Sequence, residues 1–184
     1  MSTREVIREV IQRVLREHVD EPFLLLREAG LQARIWCLLR QKLDPEVVNS
    51  QVKSKSRLHH HAEEFKTSRV QLELKVGGKK RSDIVVLRAG CRPRLTCACN
   101  GATDVLAMIN PADVEAVIEI KAAPSRGRKQ PKRFRHDIMK LRKLRKNHPE
   151  VQCYFVLFDK SLPVPGAACD ISEPRMRNGI LNYS

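Results

Sequence analysis

The chain has 184 residues, of which 42% are hydrophobic, and it carries a formal net charge of +14 at neutral pH. This length suits one compact domain with extensions, and the hydrophobic content excludes wholesale disorder. No apolar run approaches a membrane span and the N-terminus lacks a signal-peptide hydrophobic region, so we expect an intracellular protein without a membrane partner. The positive excess favours a polyanionic partner such as nucleic acid.

Two helices are predicted at the start of the chain. Ser2 and Glu5 have the spacing of a capping box, and the apolar residues that follow predict an amphipathic helix over residues 1–20. Proline at position 22 suits the first turn of a second helix, predicted over 22–43. Glu28 falls on the apolar stripe of this helix, which would turn its carboxylate inward, but the residues alone favour a solvated acid on the helix face.

A β-hairpin is predicted near the middle of the chain. Residues 45–68 are polar and are expected to form a loop or a short helix. Apolar and polar residues then alternate over 70–76, which is typical of a half-buried strand. The turn-forming sequence 77–80 leads into an apolar strand at 81–87 that contains Asp83.

The segment 88–113 is expected to be irregular, with a short helix at 104–109. Three of the six cysteines lie in it: Cys91, Cys97 and Cys99. With the histidines at 59–61 they could form a structural zinc site, but their spacing matches no standard zinc pattern. Reduced thiols are the default interpretation, and the zinc site stays open as the alternative.

The second half of the core is predicted as strand, helix and strand. An apolar strand at 116–121 contains Glu119 and Lys121, a helix follows Pro131, and 151–158 forms a strand covered on both faces. Eleven lysines or arginines but a single acid lie between residues 126 and 146, which accounts for +10 of the net charge. This basic segment predicts a surface that binds phosphates.

The two apolar strands carry acids where burial opposes charge. A buried carboxylate destabilises the fold by several kcal/mol unless a cation or hydrogen bonds compensate it. Strand side chains alternate between faces, so Glu119 and Lys121 point the same way. Pairing the two strands would place Asp83 beside Glu119. Two carboxylates and one ammonium on one sheet face predict a metal site.

The order of acids and elements along the chain resembles that of the PD-(D/E)XK nuclease superfamily. A helix acid comes first, Asp83 and then Glu119-Ile120-Lys121 follow on strands, and a helix and a strand come last. The chain resembles this superfamily over about residues 22–160, with Ser82 at the position of the eponymous proline. The resemblance implies an α/β fold with a restriction-endonuclease-like α-β-β-β-α-β core, in which helices flank a mixed central sheet. We therefore predict three units: an N-terminal amphipathic helix at 1–20, a nuclease-like core at 21–160 and a loosely packed tail at 161–184.

The same resemblance implies a nuclease that hydrolyses nucleic acid with Mg²⁺, most simply a DNA endonuclease, with Mn²⁺ able to substitute. By position, Asp83, Glu119 and the Ile120 carbonyl would hold the metal. Lys121 would be the motif lysine beside the attacking water, and Glu28 would complete the catalytic set. Asp137, on the following helix, resembles a polar patch that some members carry.

The residues predicted to bind nucleic acid are basic and flank these motifs: Lys80, Arg81, Arg126, Arg128, Lys129, Lys132 and Arg133. Three alternatives stay open. One is a non-catalytic nucleic-acid-binding module on the same fold, and another is a homodimeric enzyme of the Holliday-junction resolvase type. The third is a toxin-like or defence nuclease that acts with a larger partner, in which an apolar face of the first helix, from Ile7 to Leu15, would be exposed as a docking surface.

Overall fold

The computed structural model describes residues 1–20, 27–43, 48–54, 64–77, 81–99, 105–122, 131–158 and 167–170. Within these ranges the α-helices are α1 (Thr3–Asp20), α2 (Glu28–Leu43) and α3 (Pro131–Asn147), and a short 3-10 helix spans Pro111–Asp113. The strands are β1 (Val48–Ser54), β2 (Glu64–Thr67), β3 (Val70–Val76), β4 (Arg81–Leu87), β5 (Arg94–Cys99), β6 (Val105–Ile109), β7 (Val114–Ala122), β8 (Gln152–Phe158) and β9 (Ala167–Asp170).

The strands form one mixed sheet in the order β2-β1-β5-β6-β3-β4-β7-β8-β9. At its centre β3 pairs antiparallel with β4, β4 antiparallel with β7, and β7 parallel with β8. In chain order α2, β3, β4, β7, α3 and β8 give the predicted α-β-β-β-α-β core. The predicted restriction-endonuclease-like α/β fold is therefore confirmed, with additional strands inserted after α2 and after β4.

The helices cover the two faces of the central sheet. Apolar side chains of α1 and α2, such as Ile7 and Ile35, share one core cluster with Ile118 of β7. On the other face Leu141 of α3 packs in a second cluster with Val117. Because each helix buries only one stripe, its other side chains stay polar. Among the described helices, none has the length and apolar character needed to cross a membrane.

Helix α1 begins at the predicted capping box. The Ser2 hydroxyl accepts from the Glu5 backbone N–H at 3.3 Å, and the Ser2 backbone N–H donates to the Glu5 carboxylate at 2.7 Å. Arg34 of α2 donates to both oxygens of Glu17 at 2.8 and 2.9 Å, which joins the two helices. The apolar residues of α1 are buried, with Ile7 fully enclosed. The alternative in which this face is an exposed docking surface is therefore wrong.

Two segments differ from the sequence prediction. Residues 48–54 and 64–67 form β1 and β2 rather than a loop or short helix. Residues 94–99 and 105–109 form β5 and β6 rather than an irregular stretch with a short helix. These strands extend one side of the sheet, where pairing with a neighbouring strand supplies the backbone hydrogen bonds. Tertiary pairing therefore outweighs weak local propensity there.

The C-terminal segment contributes one further strand. Residues 167–170 form β9, which pairs antiparallel with β8. This strand lies inside the predicted tail at 161–184, and the rest of that tail is outside the described residues. The sheet thus continues beyond the predicted core.

The predicted hairpin is present and contains an irregularity. β3 and β4 pair antiparallel, but Glu73 has a left-handed backbone with φ of 56°. The two neighbours of Glu73 lie on opposite faces of the sheet. Leu72 packs into the core cluster formed with α1 and α2, whereas Leu74 packs into the cluster formed with α3. A left-handed backbone is strained for a residue other than glycine, and strain of this kind concentrates at functional sites.

The end of β3 depends on a glycine. Gly77 has φ of 58°, and a Cβ built on it would lie 2.7 Å from Cγ of Pro111. Its backbone N–H donates to the Ile109 carbonyl at 3.3 Å. Backbone conformation and close approach therefore both require glycine here. Residues 78–80 of the predicted turn lie outside the described residues.

Candidate active site

The pairing of β4 with β7 brings the two strand acids to adjacent positions. Ile84 pairs with Ile118 and Val85 with Val117, so the same register places Asp83 opposite Glu119. The Asp83 carboxyl raises the pKa of Glu119, as a neighbour of like charge does. The juxtaposition expected from strand pairing is therefore present in the structure.

Asp83 is anchored to the backbone of β7. Its Oδ2 accepts from the Ile120 N–H at 2.6 Å and lies 3.8 Å from Nζ of Lys121. Burial raises the pKa of Asp83 above its usual range, although the Ile120 hydrogen bond and the Lys121 charge oppose that effect. A nearby carboxylate, Glu28, raises the pKa further. The Asp83 carboxyl thus has a fixed position and a charge that a bound cation would stabilise.

Lys121 lies at the meeting point of the acids. Its Nζ donates to Oε1 of Glu28 at 3.0 Å and to the Ile120 carbonyl at 2.8 Å, and it lies 3.7 Å from Oδ2 of Asp137. Burial lowers the pKa of Lys121, but Asp83, Glu28 and Asp137 together outweigh it and the pKa is raised. The group is therefore an ammonium ion at neutral pH.

Glu119 is the most enclosed acid of the cluster, since only 3% of its surface is exposed. Its Oε1 accepts from Nζ of Lys140 at 2.5 Å, and the same ammonium also donates to the Arg81 carbonyl. Burial raises the pKa of Glu119 to about 7; Lys140 opposes this, whereas Asp83 adds to it. The Lys140 ammonium therefore only partly offsets the effect of burial on this carboxyl.

Three residues of this cluster were not predicted as site residues. Lys140 reaches Glu119 from α3; the family resemblance placed it beside Asp137 in a polar patch of this helix but gave it no role in the site. Gln32 donates from Nε2 to the Asp83 carbonyl at 2.9 Å and to Oε1 of Glu73 at 3.0 Å. Alternation in β3 predicted an ordinary solvent-facing side chain for Glu73, so no signal in the sequence distinguishes it. A polar residue on the apolar stripe of a helix was the available signal for Gln32.

The predicted nucleic-acid-binding residues are only partly described. Arg81 is exposed at the start of β4. The structure does not describe the side chains of the other six: Lys80, Arg126, Arg128, Lys129, Lys132 and Arg133. The predicted phosphate-binding surface is therefore untested by the structure.

The predicted zinc cluster is likewise outside the described part. The histidines at 59–61 and the side chains of Cys97 and Cys99 are not described. Cys91 is a free thiol, partly buried, and burial raises its pKa. Among the described residues, no group of three or more His, Cys, Asp or Glu side chains has an arrangement that could hold a metal ion.

The donor atoms that are described suit a hard cation. Asp83 and Glu119 offer carboxylate oxygens and Ile120 a carbonyl oxygen, which is the ligand chemistry that Mg²⁺ prefers. In the structure two ammonium groups already bind these oxygens, Lys140 on Glu119 and Lys121 on Ile120. The oxygens are thus arranged to interact with positive charge.

No protein-family model matches the chain, and no curated protein matches it in sequence. Among solved structures, NucC from P. aeruginosa ATCC27853 in its cAAA-bound form is 12% identical over 79% of this chain, with a TM-score of 0.35. NucC from E. coli MS115-1, also cAAA-bound, is 10% identical over 79%, with a TM-score of 0.32. The chain spans about half, 51%, of each of these proteins.

Proposed function

We propose that the protein is a metal-dependent nuclease that hydrolyses phosphodiester bonds of nucleic acid, with DNA as its substrate and Mg²⁺ as its metal. The observation that carries the proposal is the convergence of Asp83 and Glu119 on adjacent strands beside the Lys121 ammonium. Burying two acids and a lysine together destabilises a fold. A cluster of this kind therefore indicates a functional site. The net charge of +14 supports a polyanionic substrate.

Asp83, Glu119 and the Ile120 carbonyl would hold the metal, because they supply neighbouring oxygen donors of the type that Mg²⁺ binds. When bound, such a metal polarises phosphate oxygens and lowers the pKa of a water molecule. The hydrogen bond from the Ile120 N–H holds Asp83 in place before any ligand arrives. This preorganisation avoids reordering the carboxylate during the reaction.

Lys121 would act through its charge. Because its pKa is raised, the amine holds its proton and cannot serve as a base at neutral pH. Its ammonium lies where it can stabilise negative charge that develops on a phosphate or on a nearby hydroxide. Glu28 and Asp137 hold this ammonium from two helices, at 3.0 and 3.7 Å. We assign both acids a positioning role.

The test is cleavage of a panel of duplex, branched and single-stranded DNA and RNA with and without Mg²⁺. Asp83→Ala, Glu119→Ala and Lys121→Ala should each abolish cleavage and leave nucleic-acid binding largely intact. Exposed residues provide matched controls, Glu9→Ala for the acids and Lys146→Ala for the lysine, and neither should alter the rate. Cleavage that persists in EDTA, or in all three site variants, would contradict the proposal.

The same panel separates the alternatives. A non-catalytic binding module would bind nucleic acid but show no cleavage at any concentration of Mg²⁺ or Mn²⁺. A resolvase-type enzyme would prefer branched substrates and have the solution mass of a dimer. Binding to the basic segment should weaken steeply as salt rises, and charge reversal at Arg126, Arg128 and Lys129 should flatten that dependence.

A further inference from the structure

A cleft of about 450 Å³ lies between α3 and the adjoining ends of β3 and β4. This volume is within the range of small-molecule binding sites, about 300–1,000 Å³. Val76 and Pro111 line one side of the cleft, and Leu144 of α3 contributes a further apolar surface. Apolar walls of this extent suit a flat ring rather than a small inorganic ion alone.

The polar lining comes mainly from α3. Lys140, Lys143, Asn147 and His148 all line the cleft. Lys140, Lys143 and Asn147 are spaced by three and four residues, which places them along one face of α3, and His148 directly follows the helix. Two lysines on that face favour an anionic group, and phosphate is an anion that lysine ammonium groups bind in many proteins.

A buried hydroxyl supports the assignment of a ligand. Ser82 lines the same cleft and is 1% exposed. Its Oγ has no hydrogen-bond partner within the part of the chain that the structure describes. An unsatisfied buried hydroxyl destabilises the folded state, so such groups in native proteins call for a partner. An oxygen atom of a bound ligand would supply one.

We propose that this cleft binds a single nucleotide, with its phosphate between Lys140 and Lys143 and its base against the apolar wall. The cleft is connected to the candidate active site, because Lys140 also donates to Glu119 at 2.5 Å. A phosphate in the cleft shares this ammonium and so weakens its hold on Glu119. The nucleotide site is thereby coupled to the carboxylate proposed to bind metal, and in that coupling alone it rests on the proposed function.

Calorimetric titration of the full chain with adenosine monophosphate tests the proposal. Lys143→Met should weaken binding about tenfold, which corresponds to one lost charge-assisted hydrogen bond. Lys146→Met, an exposed lysine of the same helix outside the cleft, should leave affinity unchanged. Ser82→Ala should weaken binding while leaving the melting temperature unchanged or higher, because it removes an unsatisfied hydroxyl. Inorganic phosphate should bind at least tenfold more weakly than the nucleotide.

Three results would overturn the proposal. They are no nucleotide binding at millimolar concentration, equal effects of Lys143→Met and Lys146→Met, and inorganic phosphate binding as tightly as the nucleotide. Asp83→Ala distinguishes this proposal from the nuclease function, because that variant should lose cleavage and keep nucleotide binding. If Asp83→Ala binds the nucleotide but does not cleave nucleic acid, the result supports the nucleotide site independently of the nuclease proposal.

Discussion

Glu119→Gln should change how the stability of the protein depends on pH. The ordinary pKa of a glutamate is 4.5, and burial raises that of Glu119 to about 7 in the folded protein. Between these values the folded state holds a proton that the unfolded state releases, so the free energy of unfolding falls as pH rises. The loss is about 3 kcal/mol by pH 7, since one pKa unit corresponds to about 1.4 kcal/mol. Above that pH only about 0.4 kcal/mol more is lost, as the remaining Glu119 proton is released.

The measurement is urea unfolding of both proteins at intervals between about pH 4 and about pH 8. Glutamine has the shape of glutamate but no ionisable group. The free energy of unfolding of the variant therefore lacks the pH-dependent loss that Glu119 causes. The free energy of unfolding of Glu119→Gln minus that of the natural protein should therefore increase by about 3 kcal/mol across the window. A difference that stays constant within about 0.5 kcal/mol would refute the reasoning.

Glu17→Gln is the matched control. Hydrogen bonds from Arg34, opposed by partial burial, lower the pKa of Glu17 to about 2. The stabilisation from this ionised carboxylate is present above pH 4.5 and is lost as pH falls toward 2. The free energy of unfolding of Glu17→Gln minus that of the natural protein should therefore stay nearly constant between pH 4.5 and 7. The same pH slope for both variants would show that Glu119 is not the group responsible.

Magnesium extends this experiment to the proposed metal site. A cation bound at Glu119 favours the ionised carboxylate, so millimolar Mg²⁺ should reduce the pH-dependent loss in the natural protein. Glu119→Gln should show a smaller gain in stability from Mg²⁺. Equal stabilisation of the two proteins would place the metal away from Glu119.

Two further predictions concern stability elsewhere in the fold. Arg69 is 5% exposed and its Nη2 lies 2.5 Å from Oε2 of Glu115. Glu115→Ala should lower the free energy of unfolding by about 3 kcal/mol, because it removes one partner of a buried ion pair. Glu9→Ala, in an exposed ion pair, should lower it by less than about 1 kcal/mol, and equal losses would contradict this prediction. Gly77→Ala should lower the melting temperature, with a loss of about 2 kcal/mol, because a side chain there combines a left-handed backbone with contact against Pro111. Unchanged thermal unfolding would show that the turn relaxes without strain.

Periodicity in the sequence determined the elements of the core. Alternation over 70–76 and the apolar run at 81–87 predicted the hairpin, and the structure contains it. The apolar strand around Glu119 was predicted in the same way. These patterns are readable because burial of one face imposes a fixed spacing on the residues of a single element. The short strands β1 and β5 lack comparable signals, since neighbouring strands stabilise them.

Within the candidate site, the sequence alone indicated which acids lie on buried strands, because an acid in an apolar run is visible locally. Strand alternation and pairing then placed Asp83 and Glu119 together. Only the tertiary structure decided that Lys140 binds Glu119, that Glu73 adopts a left-handed backbone, and that a cleft opens beside α3. The Lys140 contact and the cleft depend on how α3 packs against the sheet, and the Glu73 backbone lies where Leu72 and Leu74 pack into different core clusters. No local pattern records the distance between two such elements.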